Sequence, residues 1–137
     1  MIKRKKKLLK KLNIKKIAET PLIPERGKET PLEDNIFMVE EGLFLSGYSA
    51  AKNKEKIFRN KIDFVINLAS SHCENIFEGQ IQYANYRLKD LPQENIRHRI
   101  FLISDKIFEM RAKGRNVLVH CYKVSSQTNL ELILTIN

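Results

Sequence analysis

The feature that most constrains this chain is a long amphipathic helix pattern followed almost at once by a short apolar strand. Ile96, Ile100, Ile103, Ile107 and Met110 recur at alternating spacings of four and three, which sets all five on one face of a helix. Gly114 supplies the stop, because glycine enters the left-handed conformation that ends helices without a Cβ penalty. Asn116-Val117-Leu118-Val119 then reads as a strand covered on both faces, since its apolar residues are consecutive rather than alternating. Phe64-Val65-Ile66-Asn67-Leu68 has the same character. Upstream, Ile36-Phe37-Met38-Val39 and Leu43-Phe44-Leu45 flank Glu40-Glu41-Gly42 as a hairpin-like pair of strands. Ser49 is placed to cap a helix running to about Asn60, and Tyr83 to Leu88 forms a weaker strand. Strands alternating with helices predict an α/β domain with a largely parallel central sheet flanked by helices.

Charge divides the chain in two. Nine of its 25 Lys/Arg residues lie between Lys3 and Lys16 with no acid among them, so the other 16 face all 16 Asp/Glu in the remainder. The formal charge of +9 therefore belongs to a tail on a neutral body. Residues 18–35 follow with Pro21, Pro24, Pro31 and Gly27 among polar residues, too little apolar surface to fold alone. The expected division is a basic disordered tail and linker over 1–35 and a folded domain over 36–137. A neutral body argues against nucleic acid binding by the domain, and Phe77, Tyr83 and Tyr86 are expected in the core rather than as a base-stacking platform. No run approaches the ~18 apolar residues of a membrane span. The basic N-terminus lacks the apolar stretch of a signal peptide, and two cysteines without export predict reduced thiols in a cytoplasmic or nuclear protein. His72-Cys73 and His120-Cys121 lack the short ligand spacing of a zinc site, so no metal is expected.

His120-Cys121 directly follows the strand at 116–119. In open α/β sheets ligands bind beyond the carboxyl ends of the strands, and a cysteine there admits two readings. It is a buried structural thiol, or it is a nucleophile whose pKa is drawn from ~8.5 toward ~3.5–7.5 by converging backbone N–H groups.

Leu118-Val119-His120-Cys121 resembles the entry to the signature loop of cysteine-dependent protein phosphatases. The likeness extends over about residues 36–123. Leu43-Phe44-Leu45-Ser46-Gly47, Ala50-Ala51-Lys52-Asn53-Lys54-Glu55, Phe64 to Leu68, Cys73, Phe77, Tyr83 and Asp90-Leu91-Pro92-Gln93-Glu94-Asn95-Ile96 resemble dual-specificity phosphatases, most nearly the plant and protist MAP-kinase-phosphatase type. The resemblance implies a protein-tyrosine-phosphatase-like fold, no cofactor, and a phosphoprotein partner such as a MAP kinase. It implies that the Cys121 thiolate attacks phosphorus and that Asp90 protonates the departing oxygen. The Asp90 carboxylate would then activate water against the phosphocysteine. His120 would tune the thiolate and the Thr128 hydroxyl would help it leave. Tyr122, Lys123, Ser125, Ser126 and Gln127 would line the bound phosphoryl group. By residue chemistry alone, Asp90 before Leu91-Pro92 is also an ordinary turn residue.

The likeness breaks after Lys123. The family's loop reads His-Cys, two residues, Gly, two residues, Arg and Ser/Thr, whereas this chain has Val124 for the glycine and Gln127 for the arginine. A β-branched residue at positive φ costs about 1–3 kcal/mol, and a neutral amide cannot replace a charged bidentate fork on phosphate. The family also continues through further helices, so the domain is expected to be incomplete at its C-terminus, with apolar surface left uncovered. Residues 124–137 are either a divergent end or translated intron, since Val124-Ser125 can be encoded by GTAAGT, a common intron opening. Two functions remain open: a dual-specificity phosphatase impaired by these substitutions, or a pseudophosphatase that binds a phosphoprotein or MAP kinase without turnover. The Lys3-to-Lys7 cluster adds a candidate contact for an acidic docking surface or an import receptor.

Overall fold

The computed structural model describes residues 32–88, 91–124, 129, 131–132 and 136, with Gln93 and Glu94 described in backbone only. Five strands, β1 (Phe37–Glu40), β2 (Leu43–Ser46), β3 (Phe64–Asn67), β4 (Gln82–Asn85) and β5 (Val117–His120), join in one sheet. Their order is β1-β2-β5-β3-β4. The β1–β2 hairpin is antiparallel and the other three pairings are parallel, the largely parallel α/β sheet expected from the sequence. The helices whose bounds fall within the described residues are α1 (Tyr48–Ala51), α2 (Lys54–Arg59) and α3 (Gln93–Ala112). None of them is long and apolar enough to cross a membrane, among the described residues.

Alternation along the buried strands builds two apolar layers. Leu43, Leu45, Phe64, Ile66, Val117 and Val119 face α3, whose Ile100, Ile103, Ile107 and Met110 lie against them. Phe44, Val65 and Leu118 point the other way, onto Ala51, Ile57, Ile62, Phe77 and Ile81. All residues of β2, β3 and β5 are buried, which is why their sequences are apolar on both faces. Phe77 and Tyr83 belong to this core, with the Tyr83 hydroxyl accepting from Phe77 N at 3.1 Å.

The C-terminus of α3 is closed by Gly114 at φ +78°, with Gly114 N donating to the Arg111 carbonyl at 2.9 Å and Arg115 N to that of Met110 at 3.1 Å. Arg111 also reaches the β1–β2 turn, bonding the Glu41 carbonyl at 2.8 Å. At the start of β5 the Asp63 carboxylate accepts from Asn116 N at 2.9 Å. These contacts fix the helix-to-strand connection that the sequence pattern announced.

Two local expectations need correction. The single helix capped by Ser49 is two short helices, and Asn53 caps the second by accepting from Lys56 N at 3.1 Å. Gly47 begins the first, and the Ser49 hydroxyl donates instead to Asp34 at 2.7 Å. The strand expected over 83–88 ends at Asn85, because β3 turns away after Asn67 and leaves only an isolated Ala69–Arg87 bridge. A strand without a neighbour has no ladder to continue.

The α3 stripe carries the packing. Ile103 is fully buried, while Phe101 is 66% and Phe108 77% exposed on the helix's outer side. Ile103→Ala is expected to lower unfolding free energy by about 2–5 kcal/mol, and Phe108→Ala to change it by less than about 0.5 kcal/mol. Urea unfolding of the two variants checks this ranking.

Candidate functional site

β5 lies between β2 and β3, and its last residue is paired on both sides: His120 sits opposite Ser46 and opposite Asn67. The chain ends of three parallel strands thus meet at one point of the sheet edge. Leu68 N donates to the His120 carbonyl at 2.9 Å, and Tyr48 N to the Tyr122 carbonyl at 3.0 Å. Cys121, next along the chain, turns to the α3 side of the sheet and is buried among that core cluster.

His120 faces the opposite layer. Its ring stacks on Tyr48 with centroids 5.9 Å apart, and Nδ1 lies 3.1 Å from the Cys121 carbonyl. A carbonyl only accepts, so Nδ1 carries the proton in this bond. Burial lowers the imidazole pKa to about 4, against the opposing pull of the Cys121 carbonyl. The ring is therefore neutral at pH 7. Its link to the thiol runs through the Cys121 backbone and not through a positive charge.

The neighbouring loops are held by specific polar contacts. Asn67, fully buried, donates to the Cys73 carbonyl at 2.8 Å and to Asn75 at 2.9 Å, and accepts from Ala69 N at 3.0 Å. Tyr48 clamps the same loop: its hydroxyl donates to the Glu74 carbonyl and accepts from Glu74 N. Cys73 is buried beside them, and desolvation raises its thiol pKa, with the Lys52 charge opposing. A thiol so placed stays protonated and acts as core.

Beyond Cys121 the described part of the loop runs to Val124. Val124 is buried and packs into the α3-side core. It does not adopt the positive φ that its β-branched side chain would resist; Lys61 is the one non-glycine residue at positive φ among the described residues. The positive-φ strain expected for a valine in place of the family's glycine is thus absent. The Val124 N–H donates to the carboxylate of Glu33, at 3.3 Å from each oxygen. Gly47 makes room for this: a Cβ there would collide with Glu33 Oε2 and stand 3.0 Å from Val124 N. Asn129, also buried, points its amide at the carbonyls of Ser46, Lys123 and Val124 from 3.4–3.5 Å. Tyr122 is exposed, with Lys123 Nζ 5.4 Å from its ring centroid.

Of the residues singled out in the sequence, His120, Cys121, Tyr122 and Lys123 are described; they are consecutive in the chain, with the His120 ring and the Cys121 thiol on opposite sides of the sheet. Asp90, Ser125, Ser126, Gln127 and Thr128 lie outside the described residues. Sequence reasoning missed Glu33, Asn67 and Asn129 as site-forming side chains. Ser46-Gly47 after an apolar strand was the visible signal for a close approach, but its partner is remote in sequence. Among the described residues no group of three or more His, Cys, Asp and Glu is arranged to hold a metal ion.

The buried neutral imidazole has a consequence for stability. Its pKa of about 4 lies below the ordinary value of 6.5, so between these values the unfolded chain binds the proton that the folded chain refuses. Stability is unaffected above pH 6.5 and falls as pH drops from 6.5 toward 4, by about 2 kcal/mol at pH 5. Urea midpoints at pH 7.5 and 5 are expected to show this loss, and His120→Gln to flatten it.

The comparisons with known proteins come down on one family. The family model for the dual specificity phosphatase catalytic domain matches residues 43–126. Protein-tyrosine-phosphatase MKP1 of Arabidopsis thaliana is 27% identical over 93 residues, covering 67% of this chain and 12% of that protein. The dual specificity protein phosphatase MPK-4 of Drosophila melanogaster is 32% identical over 97 residues, covering 69% of this chain and 25% of that one. The chain thus spans a quarter or less of the length of these two relatives. Among solved structures, that of DUSP15 superposes with a TM-score of 0.59 at 26% identity, over 68% of this chain and 58% of that chain. A human tyrosine phosphatase-like serine/threonine/tyrosine-interacting protein superposes with a TM-score of 0.56 at 25% identity, over 68% and 66%. With the family model matching more than half of the chain and these solved structures sharing its fold, this chain belongs to the dual-specificity phosphatase family.

Proposed function

We propose that the domain receives phosphotyrosine and phosphoserine/threonine of a protein substrate at the Cys121 loop, and that as it stands it turns them over poorly. The observation that carries this reading is the state of Val124. Its side chain is committed to the core and its N–H to Glu33, so that donor is withdrawn from the ring of amides that would hold a phosphoryl group. Gln127, where the family has arginine, removes the positive charge that would balance the transferring group. The roles carried over from the family, Cys121 as nucleophile, Asp90 as general acid and Thr128 as the hydroxyl aiding thiolate departure, keep their residue types here. What is lost is electrostatic support. The expected outcome is aryl phosphate hydrolysis by the unmodified chain about 10²–10³-fold below that of the Val124→Gly, Gln127→Arg double variant, with Cys121→Ser abolishing turnover in the variant. Turnover by the unmodified chain at the double variant's level would reject the reading.

The second reading is a binding module, and one observation favours it: a solved structure of the same fold belongs to a tyrosine phosphatase-like protein whose name gives it as serine/threonine/tyrosine-interacting. On this reading the domain holds a phosphoprotein or MAP kinase. The basic cluster from Lys3 to Lys7 supports the partner assignment through charge complementarity to an acidic docking surface, and it also suits an import receptor. Deletion of residues 2–16 is expected to weaken kinase capture at 0.15 M salt and to shift the chain from nucleus to cytoplasm. Capture and localisation unchanged by the deletion would remove the tail from both roles.

A further inference from the structure

Glu33 is an unusual neighbour for a loop that receives anions. Its two carboxylate oxygens share the Val124 N–H at 3.3 Å each, and the residues beside it are pinned. Leu32 packs against the α3-side core. The Asp34 carboxylate accepts from the Ser49 hydroxyl at 2.7 Å, and the Asp34 carbonyl accepts from Lys56 Nζ. The carboxylate is thus held against the loop by contacts on both sides of it in sequence, and Gly47 leaves the space it occupies.

Backbone N–H groups recognise phosphate oxygens and carboxylate oxygens by the same bond. A carboxylate on one such donor removes it from a phosphoryl group and also places a negative charge beside the site. From Cys121 to Thr128 the chain has Lys123 as its one cation, and that ammonium lies 5.4 Å from the Tyr122 ring centroid. Lys123 is thus the only positive charge in the described part of the loop, Cys121 to Val124, to set against Glu33.

We propose that Glu33 is a built-in competitor for the phosphoryl group, a tethered carboxylate that occupies the Val124 N–H and sets the anion affinity of the Cys121 loop. This rests on reading that loop as the phosphoryl site. Release of the 32–34 segment would free the Val124 donor and remove the repulsion together, so the segment that joins the basic tail to the domain also restrains the site.

Glu33→Gln separates charge from shape, since the amide oxygen still accepts from Val124 N–H. Inorganic phosphate binding to the full chain is measured by calorimetry, and the Val124 amide resonance is followed in the same titrations. Glu33→Gln is expected to bind phosphate about three- to tenfold more tightly than the unmodified chain, with the Val124 amide shifting on binding. Glu33→Asp, a charged but shorter arm, gives a smaller gain and serves if the amide variant fails to fold. Glu41→Gln, the same charge change at the β1–β2 turn, is expected to leave affinity unchanged. Equal affinities for Glu33→Gln and the unmodified chain would overturn the competitor role and leave the phosphoryl site standing. An equal gain in Glu41→Gln would reduce the effect to net charge and also overturn it. Absence of saturable phosphate binding in all variants would overturn both the competitor role and the phosphoryl site.

Discussion

The structure depends on the double pairing of β5. Four residues, Val117 to His120, bond in parallel to β2 on one side and to β3 on the other in matching register. Both faces of this strand are buried, one by α3 and one by the shorter helices and the loops after β3. A strand so enclosed cannot slip by one residue, because a slip would exchange the two faces and send Leu118 toward α3 and Val119 away from it. The same ladder therefore decides where Cys121 emerges and which way it turns: odd-numbered residues face α3, and the thiol follows Val117 and Val119 to that side.

Around the carboxyl ends of the strands, polar contacts tie the loops to one another. Asn67 holds the loop after β3, the β2–α1 turn meets the Tyr122 carbonyl through Tyr48 N, and Asn129 lies beneath Ser46 and Lys123. His120 contributes from behind, as a neutral ring wedged against Tyr48 and bonded to the Cys121 carbonyl. Its burial is affordable because neutral imidazole loses little on leaving water, whereas imidazolium would lose far more. A buried neutral histidine gives the loop a rigid back wall.

On the proposed reading of the Cys121 loop, packing and ligand binding compete at Val124. Glycine at this position can take whichever backbone course an anion requires. Valine brings apolar surface that is stabilised by burial, and the core beneath β5 has room for it beside Leu132. Once the side chain is committed there, the N–H is available to another acceptor, and Glu33 supplies one. On the proposed reading of the loop, valine in place of the family's glycine exchanges a ligand contact for a core contact, and the charge of Glu33 reinforces the exchange.

The architecture was legible because its signals are local. The α3 stripe, the stop at Gly114 and the apolar runs at 43–45, 64–68 and 116–119 each follow from covalent geometry and burial within a few residues, and together they limit the chain to a largely parallel α/β sheet. The same pattern put Cys121 at a strand end. Local rules failed where a neighbour was missing or remote: β4 stops when β3 turns away, and Ser49 gives its hydroxyl to Asp34 instead of capping a helix. By itself the sequence determined the fold class, the separation of a basic tail from a neutral body, and the loss of glycine and arginine after Cys121. Only the tertiary structure decided that His120 is buried and neutral, that Val124 belongs to the core, and that Glu33 reaches the loop. Each of these depends on surfaces brought together from distant parts of the chain, and neither desolvation nor a bond across 91 positions leaves a periodic trace in the residues that make it.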